Sequence, residues 1–320
     1  MTRPLLAWTW EFLGETHYLH SEGLHLPIAD MCPVNLKILR ESGTGIPKIV
    51  NQTEDKIQSN AGSVWLSSYL DDRTIKFTLL LHEHNNVGID KIMRARREVA
   101  TWFNPSSTAP DGVLTCYSSE VERAINARPA ALPFDWIYNE FGEFQMDLEL
   151  LCADPLWYDP AIKSSTFASA VSTDQITLDH VLPHVLCSDG SFSATANLTN
   201  AGDWATFPTI VVTGPAYNVI INNSSTGETM ASTYAISAGK TATYNLQYGY
   251  KTITDSDGNN LISYLIPGGQ LSTFHLAPDS EYNAGGAKVA PGGINSVFVS
   301  CGGTAATSVT ITWYNRYLTN

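Results

Sequence analysis

Residues 142–160 read GEFQMDLELLCADPLWYDP. Phe144, Met146, Leu148, Leu150 and Cys152 alternate with Gln145, Asp147 and Glu149, and a period of two is that of a strand with one buried face. The run ends at Asp154-Pro155, because proline cannot donate to a sheet ladder, and Trp157-Tyr158 behind it is suited to cover the bottom of a core. The same alternation stands upstream in DRTIKFTLLLH (72–82), where Ile75, Phe77, Leu79 and Leu81 oppose Thr74, Lys76, Thr78 and His82. After a polar turn, Ile89, Ile92, Met93, Val99, Trp102 and Phe103 recur at helical spacing until Asn104-Pro105 stops the helix. Lys91, Arg94, Arg97 and Glu98 take its outer face. Further strands are expected at 113–117 and 121–128. One helix among several strands predicts an α+β domain.

Beyond residue 160 the composition changes. Residues 1–160 hold 13 basic and 22 acidic side chains, while 161–320 hold 5 and 9 and fill with Ser, Thr, Asn and Gly. Such a shift marks a domain boundary, and KSSTFASAVSTD (163–174) reads as the connector. Two domains are expected, 1–162 and 163–320. The second shows no helix. Short strand-like runs recur instead, among them TIVVT, YNVIINN, INSVFVSC and SVTITWYN, with turns at Thr226-Gly227, Asp257-Gly258, Pro267-Gly268-Gly269 and Pro291-Gly292-Gly293. In the last run Val309, Ile311 and Trp313 share a face. Regular short strands with glycine-rich turns predict a β-sandwich. The whole chain is therefore expected to be mainly β.

Composition narrows the function. The 320 residues are 43% apolar and only 15% charged, against about 25% charged in an ordinary globular domain, which excludes a disordered chain or a coiled coil. No apolar run approaches the roughly 18 residues of a membrane span, and residues 1–19, with Glu11 and Glu15 and no small-residue cleavage site, do not read as a signal peptide. The net charge of −13 argues against a protein that neutralises phosphates. Five cysteines, odd in number and without a CxxC pair, read as free thiols of a protein made in a reducing cytoplasm.

Candidate chemistry is sparse. His82 and His84 stand two apart, a spacing that suits a metal on a strand, but they fall where a strand gives way to a turn. His180, His184, Cys187 and Asp189 lie within ten residues, with Pro183 breaking any helical geometry between the histidines. Asp255-Ser256-Asp257-Gly258-Asn259 begins like a calcium loop but has Ile266 where the twelfth-position Glu is needed, so a hairpin turn between KTIT and LISYL is expected. There is no GxSxG elbow, Walker loop or GxGxxG fingerprint. No enzyme, metal or cofactor is expected. Tyr217, Tyr234, Tyr244, Tyr248, Tyr250, Tyr264, Trp313, Tyr314 and Tyr317 offer a second reading, a sandwich that stacks aromatic rings on host glycans. A hydrolase built on an Asp or Glu pair is a third.

A further stretch, NLTNAGDWATFPTIVVTGPAYNVIINNSSTG (197–227), carries a turn at Asn200-Ala201-Gly202-Asp203 and a Pro208 that suits an edge strand. Taken in order, strand, helix, Asp154-Pro155-x-Trp157-Tyr158 and Gly202-Asp203-x4-Pro208, the chain resembles the distal tail (Dit) proteins of long-tailed, non-contractile phages over residues 73–276. The resemblance implies an N-terminal β-sandwich or split barrel with one helix that builds a ring, and a galectin-like C-terminal sandwich. It implies a homo-hexamer at the tail tip of the virion, made in the host bacterial cytoplasm and not inserted in a membrane. Such a ring joins the tail tube protein to the hub or tip protein, while tape-measure protein and DNA pass through its lumen. On this reading Asp154, Pro155, Trp157, Tyr158, Gly202, Asp203 and Pro208 are structural. Some larger relatives insert sugar-binding modules, and this chain has no stretch long enough for one. Arg94 and Arg97, a basic face in an acidic chain, are candidates for the ring interface.

Overall fold

A computed structural model describes residues 7–20, 34–54, 64–83, 89–103, 111–118, 121–130, 137–138, 144–168, 191–303 and 306–320. The chain divides into two compact units, Met1–Pro160 with Tyr317–Asn320, and Ala161–Arg316. The last four residues, which the composition shift assigns to the second domain, thus return to the first.

The first unit contains β1 (Ala7–Phe12), β2 (Glu15–His20), β3 (Val34–Ser42), β4 (Ile49–Glu54), β5 (Val64–Leu70), β6 (Arg73–Glu83), α1 (Ile89–Trp102), β7 (Gly112–Tyr117), β8 (Glu122–Pro129), β9 (Ile137–Tyr138), β10 (Phe144–Cys152) and β11 (Trp157–Tyr158). Hydrogen-bonded neighbours run β8-β7-β1-β2-β3-β6-β10, and β10 comes back to β8 through Leu150↔Pro129 and Leu151↔Arg128. The sheet therefore closes on itself, but only just. The rest of that edge of β8 is taken by β11 at Ala124↔Tyr158, and β2 meets β3 at a single parallel pair, His20↔Lys37. This is a split barrel. β4 and β5 form a separate two-stranded ribbon.

The barrel closes around the side chains that the alternation placed inward. Phe77, Leu79, Leu81, Met146, Leu148 and Leu150 join Trp8, Trp10, Leu114 and Ile125 in one buried cluster. Aromatic edges meet faces within it: Trp8 lies 5.2 Å from Phe77 at 70°. Helix α1 adds Ala95, Val99 and Phe103 to this core. The Trp10 indole N–H donates to the Trp102 carbonyl at 2.8 Å, satisfying an acceptor that the helix end leaves free. Met93, expected inward, is 37% exposed, and Ala95 occupies the buried stripe in its place. A methyl group lets the helix approach the sheet more closely than the longer side chain would.

The second unit contains β12 (Lys163–Ala168), β13 (Ser191–Thr199), β14 (Thr209–Thr213), β15 (Ala216–Asn223), β16 (Glu228–Ser232), β17 (Thr241–Asn245), β18 (Thr252–Asp255), β19 (Ile294–Gly303) and β20 (Ser308–Trp313), before β21 (Arg316–Tyr317) leads the chain back. One sheet runs β12-β20-β14-β17-β18, the other β13-β19-β15-β16. Ile210, Val212, Val309 and Ile311 of the first share a single core with Val219, Ile221, Val297 and Val299 of the second, so the two sheets are the layers of a β-sandwich.

Three local expectations change. Residues 163–168, read as connector, are strand β12, whose Ser and Thr pair against β20 at an edge where polar side chains are tolerated. Pro208 does not sit on an edge strand. It precedes β14, a central strand, at a position where no ladder donor is needed, and its carbonyl accepts from Leu246 N at 3.2 Å. In LISYL, Ile262–Tyr264 form one 3-10 turn instead of a return strand.

Candidate functional site

The Asp-Pro-x-Trp-Tyr motif is a clasp inside the first unit. Asp154 Oδ1 accepts from Leu156 N at 3.3 Å, turning the chain after β10, and Pro155 and Leu156 are buried. Trp157 is completely buried, 6.0 Å from Trp8. Tyr158 remains nearer the surface and donates its hydroxyl to Asn126 Oδ1 at 3.2 Å. Arg73, the first residue of β6, lies over the Trp157 ring with Cζ 5.6 Å from the centroid. Its guanidinium donates to the carbonyls of Thr44 (3.1 Å) and Leu318 (2.8 Å), the second of these on the returning C-terminal tail. Burial lowers the Arg73 pKa, opposed by Cys152 and Asp154. Gly43 is required beside it: φ is +84°, and a Cβ would meet Thr74 O at 2.0 Å. Around the tail, Arg123 stacks on Tyr317 at 3.5 Å.

The second motif is a turn in the other unit. Asn200 Oδ1 accepts from Gly202 N at 3.0 Å, while Nδ2 donates to the carbonyls of Trp204 and Leu276, each at 2.9 Å. Gly202 lets the chain pass Arg316, whose carbonyl a Cβ would meet at 2.2 Å. Asp203 N donates to that same carbonyl at 2.8 Å, and the Asp203 side chain is exposed. The Asn200 side chain is thus spent on holding backbone, and Ala201 N donates to Asn315 Oδ1 at 3.2 Å.

Two polar centres of the second unit have no sequence signal, because their members are single residues far apart in the chain. Glu228 and Glu281 grip His275 from both sides: Nδ1 lies 3.0 Å from Glu228 Oε2, and Nε2 lies 3.1 Å from Glu281 Oε1. Burial alone would lower the His275 pKa, but its bonds to the two carboxylates push it up to about 10. Burial would raise Glu228, and His275 instead holds it below the usual carboxylate range. Beside this centre, the Lys251 ammonium lies 3.6 Å from the Phe207 ring centroid, and burial brings it down to about 8. The second centre is Asn295, fully buried: Nδ2 donates to Ala277 O and Gly293 O, and Oδ1 accepts from Ala277 N and Asn223 Nδ2. Both centres fasten the 273–293 loop to the sandwich.

Among the described residues, no three His, Cys, Asp or Glu side chains are placed so that they could hold a metal ion. The Asp255 carboxylate is consumed by Asp257 N, Asn259 N and Asn259 Nδ2, all within 2.9 Å, and Asp257 pairs with Lys240. His84 and the His180, His184, Cys187, Asp189 group lie outside the described residues, as do the side chains of His82 and Glu83. Cys116, Cys152 and Cys301 are buried thiols, and burial pushes Cys152 up to about 12. Of the tyrosines, Tyr244 is buried in the sandwich and Tyr234 packs edge-on against Tyr264, whereas Tyr248 and Tyr250 are exposed. Arg94 and Arg97 are both exposed on α1. No helix among the described residues is long and apolar enough to cross a membrane.

No protein-family model and no curated protein sequence matches the chain. Solved structures do. Chains of the phage P2 baseplate in its activated conformation, with Ca and with Sr, align with TM-scores of 0.47 at 9% identity, over 97% and 96% of this chain and 98% of theirs. The Dit protein (gp 19.1) of phage SPP1, described as a paradigm of the hub adsorption apparatus in phages infecting Gram-positive bacteria, aligns with a TM-score of 0.59 at 13% identity, over 97% of this chain and 98% of that one. Over nearly its whole length, from split barrel to sandwich, the chain has the fold of the SPP1 Dit protein.

Proposed function

We propose that this protein is a structural component of a phage tail tip, a distal tail protein whose N-terminal barrels assemble into a hexameric ring between the tail tube and the hub. The observation that carries the reading is the Dit fold along 97% of the chain, reached independently of sequence identity. The local geometry supports it: both motifs fasten backbone, and His275 is held in ion pairs with Glu228 and Glu281. In the ring, tube, tape-measure and hub proteins are the partners. Six chains of −13 carry −78 formal charges, most of them on the first half. Acidic side chains along the lumen would keep exiting DNA from adhering, since like charges in a narrow channel repel.

Tail tubes of the phage that encodes the protein provide the test. Mixed with purified protein, they should appear capped at one end in negative-stain images. Arg94→Glu combined with Arg97→Glu, both exposed and away from the core, should leave the melting temperature within a few degrees of the parent and remove the caps. Bare tubes with the parent protein would contradict the reading. Exposed Tyr248 and Tyr250 favour a second reading, glycan recognition by the sandwich, which a glycan array with alanine variants at both positions decides.

A further inference from the structure

The first unit is made of two pieces of chain, Met1–Pro160 and Tyr317–Asn320, with the whole second unit between them in sequence. A piece of four residues frays unless something ties it down. Three of these four are tied, each to a different side chain of the barrel. Tyr317 packs against the barrel core, and its ring carries the Arg123 guanidinium with Cζ 3.5 Å from the centroid. The Leu318 carbonyl accepts from Arg73 Nη2 at 2.8 Å. Asn320 Nδ2 lies 3.5 Å from Sγ of Cys116, a thiol that is only 4% exposed. Cys116 and Arg123 face each other across β7 and β8, so Tyr317 and Asn320 dock on one register position of the sheet.

The Leu318 carbonyl matters most. Arg73 is 3% exposed, and among the described residues its hydrogen-bond partners are the carbonyls of Gly43, Thr44 and Leu318, at 3.4, 3.1 and 2.8 Å, while its Nε has none. A buried guanidinium needs its donors satisfied, because each one left empty keeps its cost of desolvation. The shortest bond to this cation comes from outside residues 1–160. Arg73, Cys116 and Arg123 thus form an acceptor surface that is filled by chain from beyond the second unit. We infer that Tyr317–Asn320 is a latch: the first unit presents this surface for the segment and is completed only when the segment docks. Residues 317–320 are synthesised after the second unit, so the barrel is finished only once the sandwich chain has been made. On the ring reading, on which this last consequence alone rests, the latch keeps a nascent chain out of the ring until both units exist.

A chain ending at Arg316 tests the latch. Alkylation of Cys116 by N-ethylmaleimide, located by peptide mass spectrometry, should run about tenfold faster than in the parent or more, because the covering segment no longer limits local opening. Cys301, buried in the second unit, should keep its rate. A peptide of residues 317–320 at millimolar concentration should slow Cys116 back toward the parent rate in the shortened chain. In the parent, whose surface is occupied, it should change nothing. If the shortened chain does not fold, Tyr317→Ala in the full chain carries the same test, since it keeps the Leu318 carbonyl and removes only the ring under Arg123. Cys116 should again label faster while Cys301 does not. Parent-like labelling of Cys116 in the shortened chain or in Tyr317→Ala overturns the latch, and so does fast labelling of the shortened chain that the peptide leaves unchanged. None of these rates depends on assembly, so a parent that never forms rings removes the ring reading and leaves the latch standing.

Discussion

Trp157→Ala should destabilise the first unit by about 3–5 kcal/mol, the range for removing a large aromatic side chain from a packed core. The ring is completely buried and lies against Trp8, which in turn lies edge to face with Phe77, so its loss opens a void in the most aromatic part of the barrel. It also removes the surface under Arg73, a buried guanidinium whose remaining partners are backbone carbonyls. For a unit of this size the melting temperature should fall by about 2–4 °C per kcal/mol, hence by roughly 6–20 °C. Trp157→Phe, which keeps an aromatic plate, should lose less than half as much. The second unit has its own core, so its transition should not move. Calorimetry separates the two. A loss below about 1 kcal/mol would show that the barrel does not depend on its clasp.

His275→Ala should have a comparable effect on the second unit, about 3–5 kcal/mol, because removing one partner of a buried ion pair leaves the other charged and unpaired. Glu228 is the residue left behind: its side chain is 9% exposed, and without the imidazole it keeps the Thr226 hydroxyl and the backbone N–H of residue 275. The pH dependence gives this prediction a distinctive form. The His275 pKa rises from 6.5 to about 10, so its contribution is complete below pH 6.5 and is lost as pH climbs through 10. Glu228 is depressed below 4.5, so its contribution is present above that value and is lost in acid. The second unit should therefore soften as pH rises from about 6.5 to 8, and above about pH 8, where Lys251 begins to lose its proton in the folded protein, the gain at Lys251 opposes the loss at His275. In His275→Ala the alkaline slope should flatten. An unchanged slope would mean the imidazole is neutral in the folded protein.

Much of the architecture was legible because it rests on periodicity. Phe144 to Cys152 and Ile75 to Leu81 alternate in the sequence and become paired strands β10 and β6 with one buried face each. The 89–103 helix shows in its apolar spacing, although Met93 and Ala95 exchange roles, because close packing on a sheet favours the smaller residue. Closure of the barrel was not legible. It depends on Leu150↔Pro129 and Leu151↔Arg128, pairings between strands that no local pattern links. The edge strand β12 was hidden for the opposite reason: Ser and Thr at a half-exposed edge look like linker. The motif around Trp157 could be read as a core cover, and it goes deeper, into the core itself. His275, Glu228 and Asn295 gave no signal, since a buried polar centre assembled from distant single residues leaves no period or spacing behind.

The ring is the central claim, and the mass of the purified protein in solution tests it most directly. Light scattering on a sizing column at micromolar to millimolar concentration should give six times 34.9 kDa, about 209 kDa, or twice that for two stacked rings. A species of 34.9 kDa throughout that range, remaining so after addition of the tube and hub proteins, would contradict it.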